Sequence, residues 1–186
     1  MTRMAASTPG VPRLHLAAAA LLLLLSLLGC TVVDEPDRPP PPKAAPAGTP
    51  VERIFLSTNN LSEDRNGNRF YDTFMCVVYL FPPPSQSALP MHCAGRMTFE
   101  LRDEENYTIA RWTLSESDLE QVAGVYSGLP GYFLSLNIAE VGDDRVISKH
   151  AELSCTFYPA DDGPSVRAQP VPVQQIGPIG ADALRR

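Results

Sequence analysis

The chain has 186 residues, 21 acids against 15 Lys plus Arg, and a formal net charge of −6. That balance argues against nucleic-acid binding, which needs clustered cations to displace counterions. It argues equally against attraction to anionic lipid headgroups. The first thirteen residues carry Arg3 and Arg13 and no acid, and Leu14 to Leu28 is apolar except for His15 and Ser26. A positive start, an apolar stretch of about 7–15 residues and small residues at a cut define a secretory signal. A membrane-spanning helix needs about 20 apolar residues, and here Asp34, Glu35 and Pro36 follow soon after. Residues 1–29 are therefore predicted to be a signal peptide.

The apolar run closes on Leu27-Leu28-Gly29-Cys30. This tetrapeptide resembles the lipobox of bacterial lipoproteins, where cleavage precedes a cysteine that carries fatty acyl groups. The resemblance implies that Cys30 is the lipidated first residue of the mature chain and that the partner is a membrane, reached through a lipid anchor. In that family an aspartate after the cysteine marks inner-membrane retention; Thr31 stands here, which favours the outer membrane. Residues 30–50 form a linker, with seven prolines after Cys30, including Pro39-Pro40-Pro41-Pro42. Such a run prefers the extended polyproline conformation at about 3.1 Å per residue and reads as a semi-rigid stalk.

From Val51 the pattern changes to strands. Arg53–Ser57 is a first strand, and Met75–Phe81 is apolar on both faces, as in a central strand. Arg96–Arg102 alternates, with Met97, Phe99 and Leu101 on one face. Asp103–Asn106 turns it back into Tyr107–Trp112, where a shift in the apolar face predicts a β-bulge. Leu119, Val122, Ala123 and Tyr126 recur at helical spacing, so one short helix is predicted within Ser115–Tyr126; Ser115–Asp118 offers N-cap candidates, and Ser117 with Glu120 fits a capping box. Strands follow at Tyr132–Ile138 and Ala151–Phe157. The predicted fold is mainly β: an antiparallel β-sandwich of about seven strands and one short helix, occupying residues 51–162. Residues 163–186 are rich in Pro and Gly and are expected to be a mostly disordered tail, with one edge strand near Ser165–Val173.

Asp64, Asn66, Asn68 and Asp72 place side-chain oxygens at positions 1, 3, 5 and 9 of one loop, with the Phe70 carbonyl at position 7. Calcium takes six to eight hard oxygen ligands, and alternating spacing lets one loop wrap them around the ion. The segment resembles the Asp-x-Asn-Gly-Asn loops that open prealbumin-like sandwich modules, including the B-type repeats of bacterial adhesins. The resemblance implies Ca2+ held by Asp64, Asn66, Asn68 and Asp72, rigidifying the module. This chain has Arg69 where those loops have glycine, and Met75 where an EF-hand has its closing glutamate.

Cys76, Cys93 and Cys155 remain after Cys30, and an exported chain meets an oxidising compartment, so one disulfide is expected. If Met75–Phe81 and Arg96–Arg102 formed a hairpin, Cys76–Cys155 or Cys93–Cys155 would be favoured over Cys76–Cys93. His92 and His150 show no zinc-ligand spacing with these cysteines. The sequence holds no Gly-x-Ser-x-Gly elbow, His-Glu-x-x-His helix or Gly-rich phosphate loop. The expectation is a non-enzymatic binding or structural module of the cell envelope, contacting a glycan or an envelope protein, with Tyr71, Tyr126 and Tyr132 as contact candidates. Its alternatives are an accessory subunit of an envelope assembly and, last, a periplasmic enzyme.

Overall fold

The computed structural model describes residues 45–180 except Ala47 and Lys149. The signal peptide, Cys30, most of the 30–50 linker and residues 181–186 lie outside the described residues.

Alternation decides the architecture. β4 (Gly95–Asp103) turns Met97, Phe99 and Leu101 inward, each 0% exposed, and keeps Arg96, Glu100 and Arg102 outside. Each such side chain contributes about 1.5–3 kcal/mol on burial. Eleven strands result among the described residues, four of them only two or three residues long. The first sheet runs β1 (Arg53–Glu63), β3 (Thr73–Phe81), β7 (Leu129–Asn137), β6 (Ala123–Tyr126). The second runs β10 (Val171–Val173), β8 (Ala151–Pro159), β4, β5 (Thr108–Leu114), with β9 (Val166–Arg167) also on β8. All pairs are antiparallel. Ile54, Leu56, Phe74, Val78 and Leu134 from the first sheet share one core with Phe99, Leu101, Leu153 and Phe157 from the second.

Polar contacts tie the sheets at both edges. Trp112 Nε1 on β5 donates to the Asn137 carbonyl of β7 at 3.0 Å, and its ring meets Phe74 edge-on. At the opposite edge Thr58 Oγ1 donates to the Pro172 carbonyl at 2.8 Å. The bulge falls in the β4–β5 pair: Leu101 opposes Ala110 and Arg102 opposes Thr108, which leaves Ile109 unpaired.

Helix α1 (Glu116–Val122) is shorter than the sequence pattern suggests, and its cap is Ser115 rather than Ser117. Ser115 Oγ accepts the Asp118 N–H, and the Asp118 carboxylate accepts the Ser115 N–H. Ser115 wins because Asp118 stands at the third helical position, where its short side chain closes the reciprocal box. Ala123 then leaves the helix for β6, so Tyr126 belongs to a strand.

Two further expectations need correction. Met75–Phe81 and Arg96–Arg102 do not form a hairpin: β3 pairs β1 and β7, and β4 lies in the other sheet. The segment between them crosses from one sheet to the other, and Met91 bridges Leu80 on the way. Nor is the described part of 163–186 a loose tail. It supplies β9, β10 and β11 (Gly177–Pro178), and buries Ala168, Val173 and Ile176. Pro172 is tolerated because β10 is an edge strand, where a missing N–H costs no ladder bond.

Candidate functional site in the Asp64–Asp72 loop

The loop begins where β1 ends and returns through β2 (Phe70–Tyr71) to β3. Its side chains substitute for a regular ladder. Asp64 Oδ1 accepts the N–H groups of Gly67 at 2.8 Å and Asn68 at 3.1 Å, and Oδ2 accepts that of Arg69 at 2.8 Å. Asn66 Oδ1 takes the Asn68 N–H at 3.0 Å, and Asn68 Oδ1 takes the Phe70 N–H at 2.9 Å. These are Asx turns, which short polar side chains form readily. Gly67 has φ 75° and Arg69 φ 71°. The position where the resembled loops carry glycine is thus a left-handed one, and here an arginine occupies it. Its N–H is held by Asp64, and its carbonyl accepts the Ile179 N–H at 2.9 Å.

Asp72 is the inner hub and is 0% exposed. Oδ1 accepts the Arg65 N–H at 3.1 Å and the Thr73 Oγ–H at 2.7 Å; Oδ2 accepts the Asn66 N–H at 3.3 Å. Its own N–H donates to the Glu63 carbonyl, and its carbonyl accepts from Ile138 at 2.7 Å. A carboxylate taken out of water is costly unless several donors surround it, and this one has three.

The structure adds Asp144, which sequence reasoning missed. Asn66 Nδ2 and Asn68 Nδ2 (2.7 Å) both donate to Asp144 Oδ2, from a turn more than seventy positions away. The only hint in the sequence is the Gly142-Asp143-Asp144 turn signal after β7. β11 closes the other side by pairing with β2.

The loop therefore brings Asp64, Asn66, Asn68 and Asp72 into one hydrogen-bonded unit. Its donor set is all oxygen and suits a hard cation in kind. Asp64 and Asp72 each already accept three hydrogen bonds, where a carboxylate has about four lone-pair sites. Among the described residues no three His, Cys, Asp or Glu side chains converge at metal-binding spacing. A calcium ion at this loop would draw on the asparagine amides as well as the two aspartates.

Cys76, Cys93 and Cys155 are free thiols in this structure. Cys76 and Cys155 point into the core from opposite sheets, 1% and 0% exposed. Burial pushes the Cys76 thiol well up, with a further rise from Cys155, and pushes Cys155 to about 12. Cys93 is half-buried and pushed up to about 11, by burial first and then by Asp161. Cys76 and Cys155, so placed, stay protonated and unreactive at neutral pH.

The tyrosines separate. Tyr132 is core, with its hydroxyl bonded to the backbone N–H and carbonyl of Cys93. Tyr71 is half-buried in β2, and Tyr126 is 60% exposed. A groove beside α1 is lined by Asp118, Glu140 and Arg111. Asp118 is committed to the Ser115 cap, which holds its carboxyl below the ordinary range, and Arg111 is bonded to Glu100 at 2.6 Å.

No protein-family model matches the chain, and no curated protein sequence does. Among solved structures it is similar to a Bifidobacterium dentium beta-glucuronidase complexed with coumarin-3-O-glucuronide, at 9% identity and a TM-score of 0.29. That match covers 63% of this chain and 16% of the other. A likeness of this size carries no argument about function.

Proposed function

We propose that this chain is a lipid-anchored lipoprotein of the bacterial cell envelope, placed at the outer membrane, whose sandwich serves as a non-catalytic binding or structural module. The observation that supports it is the order of segments: a positive start, a short apolar run, Leu27-Leu28-Gly29-Cys30, a proline-rich stretch and then a domain. Each buried methylene of an acyl chain contributes about 0.8 kcal/mol, and more than one chain is needed for a lasting anchor. Replacing Cys30 with serine tests the reading in cells. The wild-type chain is expected in the membrane fraction and resistant to salt extraction, with the Cys30→Ser chain released or left uncleaved. Equal membrane retention of a cleaved Cys30→Ser chain would overturn it.

Calcium at the Asp64–Asp72 loop is the second part of the proposal, favoured by its hard, all-oxygen donor set. The ion would rigidify the crossing from β1 to β3 and would take no part in bond-making. Its test is a shift of the thermal midpoint in calcium that Asp64→Ala abolishes.

A further inference from the structure

The two outer faces of the sandwich differ in kind. The second sheet shows water a charged face: Glu100 bonds Arg111 and Arg102, and Arg96 lies over Tyr158. The first sheet shows an apolar one. Phe55, Met75 and Tyr126 are 53%, 47% and 60% exposed, and Val77, Tyr79 and Phe133 are half-buried beside them. Phe55 sits against Tyr79 with ring centroids 6.1 Å apart, and Tyr126 against Phe133 at 5.5 Å. Gly131 makes room for the Tyr79 ring, and Gly124 lies under that of Phe133. A Cβ on Gly131 would lie 2.8 Å from the Tyr79 ring, and one on Gly124 would lie 3.4 Å from that of Phe133. No acid occurs in Arg53–Ser57, Met75–Phe81, Gly124–Tyr126 or Gly131–Ser135; the acid of β1, Glu63, lies at its far end opposite Thr73 and is paired with Arg65. The single cation is Arg53, whose guanidinium covers Phe81 at 5.0 Å. In a chain this acidic, such a face is an exception that burial in the core does not explain.

We propose that this face rests on the lipid–water interface of the membrane that holds the anchor; the inference depends on the lipid-anchored reading above. Three observations select that occupant. First, the described domain starts at one end of the sandwich, within tether reach of the face: the Ala45 N–H donates to the His92 carbonyl, and the buried His92 ring bonds the Gly131 carbonyl of β7 at 2.9 Å. Second, fourteen residues separate Cys30 from Ala45, so the tether spans about 47 Å over its Cα steps at roughly 3.1 Å per residue. A tether that short holds the domain at about millimolar effective concentration, where weak interfacial contact suffices. Third, the composition is that of an interface: Tyr and Phe rings with apolar bodies and polar rims, with charge only at the margins, Arg53 at one end of β1 and Glu63 at the other. A second copy of the chain fits less well. Four strands about 4.8 Å apart and about eight residues long offer a footprint of roughly 500 Å², against the roughly 800 Å² per partner of a stable dimer.

The test uses mature Cys30→Ser chain, residues 30–186, which has no acylation site, floated with phosphatidylethanolamine–phosphatidylcholine vesicles. The expected result is half-binding at about millimolar lipid. Phe55→Glu with Tyr126→Glu is expected to weaken binding at least tenfold with an unchanged thermal midpoint. Thr98→Glu, on the charged face, is expected to float like the parent. Phe55→Ser with Tyr126→Ser replaces the glutamate pair where that pair lowers the midpoint. No flotation at tenfold higher lipid, or equal flotation of the double variant, overturns the proposal. So does self-association in sedimentation that the double variant abolishes, since the face then belongs to a second copy. None of these results depends on acylation, so the anchor reading stands or falls separately, on the wild-type chain.

Discussion

Replacing Asp72 with alanine probes the hub of the loop. Three donors lose their acceptor: the N–H groups of Arg65 and Asn66 and the hydroxyl of Thr73. An orphaned buried donor costs about 1–3 kcal/mol. Arg65 and Asn66 are exposed enough for water to reach their amides in the variant, which places each near the lower limit. The sum is about 3 kcal/mol. At about 3–5 °C per kcal/mol for a domain of this size, the thermal midpoint falls by about 10 °C. Asp72→Asn keeps one carbonyl oxygen and is expected to lose about half as much. Urea denaturation followed by circular dichroism gives the same quantity from the midpoint, provided the slope is unchanged. A loss under about 0.5 kcal/mol for Asp72→Ala would refute the reasoning, because three hydrogen bonds to a buried charge could not then be present. Running the melts in EDTA and in millimolar calcium adds the metal arm. The calcium proposal expects a higher wild-type midpoint with calcium and no rise in Asp64→Ala; coincident wild-type curves would remove it.

Other consequences are equally direct. Arg111 first, and then Arg102 and Thr108, hold the Glu100 carboxyl down to about 2 against an opposing effect of burial. A depressed carboxylate stabilises the fold above its unfolded value and loses that contribution as pH falls through the folded one. Between about pH 4.5 and 2 the parent is expected to lose of the order of 1 kcal/mol more than Glu100→Gln, a figure reduced for the exposure of Arg111. Parallel acid curves for the two proteins would contradict this. Gly95→Ala is expected to be strongly destabilising, by about 3 kcal/mol. Its Cβ would meet the Tyr158 carbonyl and lie 2.8 Å from the Phe157 ring, at φ 154°; a midpoint within 2–3 °C of wild type, or under about 1 kcal/mol, would show that β4 and β8 approach less closely. Maleimide labelling at neutral pH is expected to miss Cys76 and Cys155 in the folded protein and reach all three described cysteines in denaturant. Labelling of either core thiol under native conditions would contradict their burial.

The sandwich was legible because alternation is a local signal. Met97, Phe99 and Leu101 declare an inward face whichever strand they pair with. The bulge in β5 was legible for the same reason: Ile109 breaks the alternation by one residue. Pairing partners were not. Nothing near Cys76 says that residues 82–94 cross to the other sheet, and so the register inferred from a hairpin failed. The C-terminal segment misled through its prolines, which forbid central strands but not edges such as β10. In the loop, the Asp and Asn positions were visible from spacing. Asp144 was not, because it arrives from a distant turn, and neither was the burial of Asp72, whose carbonyl accepts the Ile138 N–H from the turn after β7.

The intact mass of the mature chain, extracted from membranes with detergent, addresses the account at its root. The account predicts a polypeptide starting at Cys30 whose mass exceeds that of residues 30–186 by fatty acyl groups, with the excess confined to the amino-terminal peptide after proteolysis. A mature chain released without detergent, with a bare thiol at its amino terminus, would contradict it.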